Sequence, residues 1–140
     1  MSFFIKIYDY LTLAISDLKA LLSKFYRFSF VRIFFILFLI VNISLWIFSY
    51  FIFDNITQDR LILHYNVDIG IDLIGGRSDI FIVPLLSLIL IFLNKIFLLF
   101  FLKRRTGDFK FVFYFTASFL LLTQLFLLLS VLLVYLINFK

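Results

Sequence analysis

Charged side chains vanish from the chain over three long stretches: Ile33 to Phe53 has none, Ile80 to Leu102 has only Lys95, and Phe111 to Phe139 has none. Helices of such length cover the roughly 30 Å hydrocarbon core of a bilayer. The pattern predicts three transmembrane helices, over 31–53, 80–102 and 111–138, the second starting near Pro84, which disfavours helical geometry at Val83. Residues 3–27 carry another rhythm. Lys6, Asp9, Thr12, Ser16, Lys19, Ser23 and Arg27 recur at steps of three or four, with Phe3, Phe4, Ile7, Leu11, Leu18, Leu21 and Phe25 between them. One polar stripe on a broad apolar face predicts an interfacial amphipathic helix, either a plain surface anchor or a sensor or docking helix. The fold expected is an all-α integral membrane domain over 1–140, with an outer loop at 54–79 and a second loop at 103–110.

In the outer loop the periodicity switches to two. His64, Asn66, Asp68, Gly70 and Asp72 alternate with Tyr65, Val67, Ile69, Ile71 and Leu73. This predicts one extended segment laid across the helix ends with its apolar face down. Gly75 and Gly76 then turn the chain, and Ser78 or Asp79 can cap the second span.

Composition strengthens the membrane reading. Of 140 residues 65% are hydrophobic and 23 are Phe, and the mean hydropathy is +1.19. That is more apolar surface than a globule of this size can hide. Little chain remains outside the spans, so no soluble catalytic domain fits and no enzyme is expected. The net charge of +5 is unevenly spread. Lys6, Lys19, Lys24, Arg27 and Arg32 precede the first span, while only Arg60 and Arg77 lie between the first and second. Lys103, Arg104, Arg105 and Lys110 lie between the second and third, and Lys140 ends the chain. The positive-inside rule then sets the N-terminus in the cytoplasm and the C-terminus outside, in a multi-pass protein of a bacterial cell (inner) membrane. Basic residues beside membrane segments match anionic lipid headgroups on the cytoplasmic side, not nucleic acid. The N-terminal segment lacks the architecture of a cleaved signal peptide. The absence of Cys rules out disulfides and thiolate chemistry.

Polar residues inside the spans recur seven apart, as Asn42 and Ser49, Ser87 and Asn94, and Thr116, Thr123 and Ser130, so each set shares a helix face. Counted from the cytoplasmic ends, Asn42, Asn94, Thr123 and Gln124 fall at a similar depth, where interhelical hydrogen bonds are the simplest role. Lys95 is the single intramembrane charge. It can snorkel to the cytoplasmic headgroups, contact another helix or subunit, or serve transport. No acidic residue in any span pairs with it.

Chemistry beyond packing points to the outer loop, which holds Asp54, Asp59, Asp68, Asp72, Asp79 and the lone His64. A straight strand separates His64 from Asp68 by about 13 Å, too far to share an ion, and a one-His carboxylate set is no recognisable zinc pattern. No nucleophile elbow and no phosphate-binding glycine loop is present. No cofactor or metal is expected, and His64, Asn66, Asp68, Asp72 and Lys95 stand as candidate interaction residues.

The run Leu61-Ile-Leu-His64-Tyr-Asn66-Val-Asp-Ile-Gly70-Ile-Asp72-Leu-Ile-Gly75, with Pro84 opening the next span, resembles the outer loop of a family of small bacterial membrane proteins of unknown function. It is also similar to the His-x-Asn and Gly-x-Asp pattern of SdpI-type membrane domains, with Ile62 and Ile71 where that pattern has proline. The resemblance covers residues 61 to 95 and implies a non-enzymatic membrane protein, in the SdpI-type group one linked to immunity and signalling. Three functional classes follow. The first is interaction, by self-association (a homo-oligomer) or as an accessory subunit of a membrane protein partner. The second is signalling or immunity through the outer loop. The third is an oligomeric small transporter dependent on Lys95.

Overall fold

The computed structural model describes residues 2–66, 68, 70–104 and 107–139, apart from the side chains of residues 2, 3, 65, 66 and 72. Helix α1 (Ser2–Tyr26) is followed by α2 (Ser29–Asn55), strands β1 (Arg60–Asn66) and β2 (Gly70–Gly76), a 3-10 turn (Arg77–Phe81), α3 (Ile82–Arg104) and α4 (Phe109–Asn138). Among the described residues three segments are long and apolar enough to cross a membrane: α2, α4, and α3 together with the 3-10 turn. Only 22–28% of their most apolar windows is buried inside the protein. The remaining Ile, Leu and Phe surface therefore requires an apolar solvent, which a bilayer supplies. At 1.5 Å per residue α4 is about 45 Å long, so it must tilt or protrude from a hydrocarbon layer of about 30 Å.

The three long helices pack up, down and up around a seam. On α2 the buried residues are Val31, Phe35, Phe38, Asn42, Leu45, Ser49 and Ile52. Their alternating steps of four and three are the signature of left-handed helix packing. On α3 the seam holds Pro84, Ser87, Ile91, Leu98 and Leu102, and on α4 it includes Phe113, Ala117, Leu120, Gln124 and Val131. Two apolar clusters result. One gathers Phe25, Phe35, Leu98, Leu102, Phe109 and Phe113 at the basic end; the other gathers Leu45, Ile52, Ile56, Leu61, Ile80 and Val131 under the hairpin.

At the basic end the interlock is aromatic. Phe25 is fully buried and stands edge-on to Phe35 and Phe109, with ring centroids 5.8 and 6.0 Å apart. Such pairs add about 0.5–1.5 kcal/mol each beyond the area they bury. This is how α1 is held. Leu21 and Leu22 are half-buried and Phe25 is buried, whereas every residue from Phe4 to Ala20 is exposed.

The segment between α2 and α3 departs from the expected single extended run. It is an antiparallel hairpin that reverses between Asn66 and Gly70, with Arg60 opposite Gly76, Leu61 opposite Gly75 and His64 opposite Leu73. Gly70 permits the reversal, with φ +84, a value costly for any residue with a Cβ. The register is irregular around His64. The alternation also misleads about facing. Leu61 is buried, while Ile71, Leu73 and Ile74 on β2 are about half exposed. The reversal lays β1 on the bundle and leaves β2 outside it. Before α3, the Asp79 carboxylate accepts a hydrogen bond from the Gly76 N–H at 2.8 Å. The helix starts at Ile82, so Pro84 falls in its first turn, where its missing N–H costs nothing.

Candidate functional site

Polar groups inside the bundle converge on one level. Asn42 Nδ2 donates to the Pro84 carbonyl at 2.9 Å, joining α2 to α3. Gln124 Nε2 donates to Ser87 Oγ at 3.1 Å and lies 3.5 Å from the Phe38 carbonyl, joining α4 to both neighbours. Asn42, Ser87 and Gln124 are all buried, and Gln124 Oε1 has no partner. In a membrane interior each such bond contributes about 0.6–2 kcal/mol. The node therefore ties the three helices together at one register.

Two of the four residues expected to meet at this level do not join the node. Thr123 donates to the Phe119 carbonyl of its own helix at 2.9 Å. Thr116 and Ser130 likewise turn back, to Phe113 and Phe126. A hydroxyl can be satisfied by its own helix and need not face a neighbour. The polar seven-residue repeat on α4 is thus one position off the seam, which runs through Ala117, Gln124 and Val131. Asn94 is half-buried, two turns along α3 from Ser87, and its Nδ2 has no partner. Depth counted from helix ends places Asn42 and Gln124 together but fails for Asn94, because α3 is shifted toward the basic end. Pro84 is about 30 Å from the end of α3, yet it meets Asn42, about 20 Å from the start of α2. The shift arises where Leu98 and Leu102 pack against Phe25 and Phe109. Ser87 is the node member that depth counting missed, and its seven-residue spacing to Asn94 was the available signal.

Lys95 is half-buried and turned inward along the protein surface. Its Nζ lies 5.3 Å from the centre of the Tyr26 ring and 5.9 Å from that of Phe35. Both contacts are cation–π in character. They belong to a groove of about 400 Å³ between the end of α1, the start of α2 and the middle of α3. Arg32 is the second cation in its wall, and Ile36, Leu39, Leu88, Ile91 and Phe92 make the rest apolar. Among the described residues no acidic side chain lines it.

The hairpin is fastened to the helix ends by side chains. The Asn138 amide at the end of α4 imitates a neighbouring strand. Its Oδ1 accepts from the Ile62 N–H at 3.0 Å and its Nδ2 donates to the Ile62 carbonyl at 2.9 Å. A third bond, 2.8 Å to the Val134 carbonyl, orients the amide. On the other side the Arg77 guanidinium donates to the Phe53 carbonyl and lies 4.8 Å from the Phe53 ring centre. Neither Asn138 nor Arg77 stood out in the sequence, because a single Asn or Arg at a helix end has no periodic partner to mark it.

Of the hairpin candidates, His64 and Asp68 are exposed, and Asn66 pairs with Gly70 through the backbone. The side chains of Asn66 and Asp72 lie outside the described residues. The reversal overturns the straight-strand separation of His64 from the later residues, since it places His64 opposite Leu73. Even so, the described residues include no group of three or more His, Cys, Asp or Glu placed to hold a metal ion.

Three membrane-length helices around a shared seam place the chain among multi-pass helical membrane proteins. No protein-family model, curated protein or solved structure matches it.

Proposed function

We propose that this chain is a small non-enzymatic integral membrane protein acting by contact with other membrane proteins, as an accessory subunit or by self-association. Its N-terminus lies in the cytoplasm, and its hairpin and C-terminus lie outside. The observation that carries this reading is the contrast between interior and periphery. The seam is filled by Phe, Leu and a hydrogen-bonded amide node, leaving little room for transport chemistry. By contrast α1 projects from Phe4 to Ala20 with every residue exposed. Its exposed apolar residues, from Phe4 and Tyr8 to Tyr10 and Leu13, occupy more than half its circumference at 100° per residue, more than one lipid surface covers.

Photo-cross-linking from position 13 in native membranes tests this. A discrete protein adduct is expected, at the mass of a second copy or of one co-purifying membrane protein. Adducts to lipid alone would reduce α1 to an anchor. A second reading, signalling or immunity through the hairpin, draws support from exposed Ile71, Leu73 and Ile74 on β2, an edge that a partner strand can extend. This reading predicts that altering His64, Asn66 or Asp72 abolishes the phenotype while membrane insertion persists.

A further inference from the structure

The groove beside Lys95 combines two features that a simple lipid-facing surface does not need together. Its wall is apolar along α2 and α3, yet two cations, the exposed Arg32 and the half-buried Lys95, line it with no acidic side chain among its described lining residues. Lys95 sits against the rings of Tyr26 and Phe35. Those rings offset part of the cost of holding an ammonium beside apolar surface, but they accept no full hydrogen bond from its three N–H donors. An anion is the missing complement. Phe35 and Arg32 lie about 9 and 5 Å from the start of α2 by helix rise. With the start of α2 at the membrane surface, the cations stand where headgroup would give way to acyl chain, and the apolar wall continues deeper, past Ile36 and Leu39.

From this arrangement we infer that the groove binds one anionic phospholipid, its phosphate held between Lys95 and Arg32 and one acyl chain lying along Ile36, Leu39 and Leu88. The volume of about 400 Å³ falls within the ordinary range for small-molecule sites, and basic pockets between membrane helices favour such headgroups. The inference requires that the helices span a bilayer; it does not require that α1 bind a partner protein. Lys95 is then a ligand-binding residue and not merely one whose stem reaches for water. A bound lipid would also brace the corner where α1 joins α2, since Tyr26 forms part of the same wall.

Native mass spectrometry of the full chain, released from micelles after titration with phosphatidylglycerol or phosphatidylcholine of identical chains, tests the inference. The wild type should retain one phosphatidylglycerol with a preference of at least about fivefold, and each cation removed should cost about that factor. Lys95→Gln and Arg32→Gln should both weaken retention, Lys95→Arg should restore it, and Lys110→Gln, an exposed cation on α4 outside the groove, should leave it unchanged. Circular dichroism checks folding, and should Lys95→Gln misfold, Arg32→Gln and Lys95→Arg make the same comparison. Equal retention of both lipids, or an equal loss in Lys110→Gln, would overturn the inference. So would complete displacement by millimolar inorganic phosphate, which would mark a site for the free anion. Photo-cross-linking from position 13 would be untouched by any of these results, so failure here is distinct from failure of the interaction reading.

Discussion

Replacing Gln124 separates two terms usually confounded in a buried amide. The side chain is fully buried and donates to Ser87 Oγ at 3.1 Å; its second contact, to the Phe38 carbonyl, is at the 3.5 Å limit, and its Oε1 has no partner. Gln124→Leu removes one sound hydrogen bond, worth about 0.6–2 kcal/mol in a membrane protein. It also removes the orphan acceptor, whose burial costs about 1–3 kcal/mol. Ser87 can turn to a carbonyl of its own helix, so the variant leaves little unsatisfied. The two terms nearly cancel, and Gln124→Leu should lie within about 1 kcal/mol of wild type. Gln124→Ala removes the orphan too but opens a void among tightly packed helices, and large-to-small changes in cores cost about 2–5 kcal/mol. Reversible unfolding in mixed micelles, followed by circular dichroism, measures both. If Gln124→Leu were as destabilising as Gln124→Ala, the hydrogen bonds would outweigh packing at this level and the account of the node would be wrong. A double-mutant cycle with Ser87→Ala should return a coupling of about 0.6 kcal/mol, and less than about 1.7.

Three further outcomes follow from other parts of the fold. Asn138→Ala deletes both bonds to Ile62, and at about 0.5–1.5 kcal/mol each the change should accelerate amide exchange in β1 while leaving that of α3 and the rest of α4 near wild type. Adjacent glycines should respond unequally. A Cβ at Gly75 would come within 2.5 Å of Asp79 Oδ2 and Leu63 Cδ1, whereas one at Gly76 meets nothing closer than 3.8 Å; Leu63 can swing aside, but Asp79 must give up its bond from the Gly76 N–H, so thermal melts should show a loss of about 0.5–1.5 kcal/mol for Gly75→Ala and almost none for Gly76→Ala. Finally, a Cys introduced at Asp68 should react with a membrane-impermeant thiol reagent added to intact cells, and one at Lys110 should not; the reverse pattern would invert the charge-based orientation.

The span assignments and the polar seam were legible to different degrees, for a physical reason visible in α4. A run such as Phe111 to Phe139 reports its solvent directly, because every uncharged residue repeats the same message. Which face of that helix meets its neighbours is a finer question. The stripe Thr116, Thr123 and Ser130 invited one answer, yet these hydroxyls bond to their own helix and the seam passes through Gln124 instead. The alternation from His64 to Leu73 was likewise real as strand propensity. It could not announce the reversal between Asn66 and Gly70, since a glycine in an alternating run fits an extended chain as well as a turn.

By itself, the order of residues determined that three helices need an apolar solvent, that charge gathers at one end, and that one lysine interrupts the second run. Local composition suffices for this, because hydropathy and net charge are sums over neighbours along the chain. Only the tertiary structure decided that α3 slides toward the basic end, that Asn42 and Gln124 meet Pro84 and Ser87, and that Asn138 holds the hairpin. It also set Lys95 beside Arg32 in an apolar groove. Those relations depend on distances between residues far apart in the chain, and such distances are fixed by how large aromatic side chains such as Phe25, Phe35 and Phe109 interlock, a property of shape that no one-dimensional pattern carries.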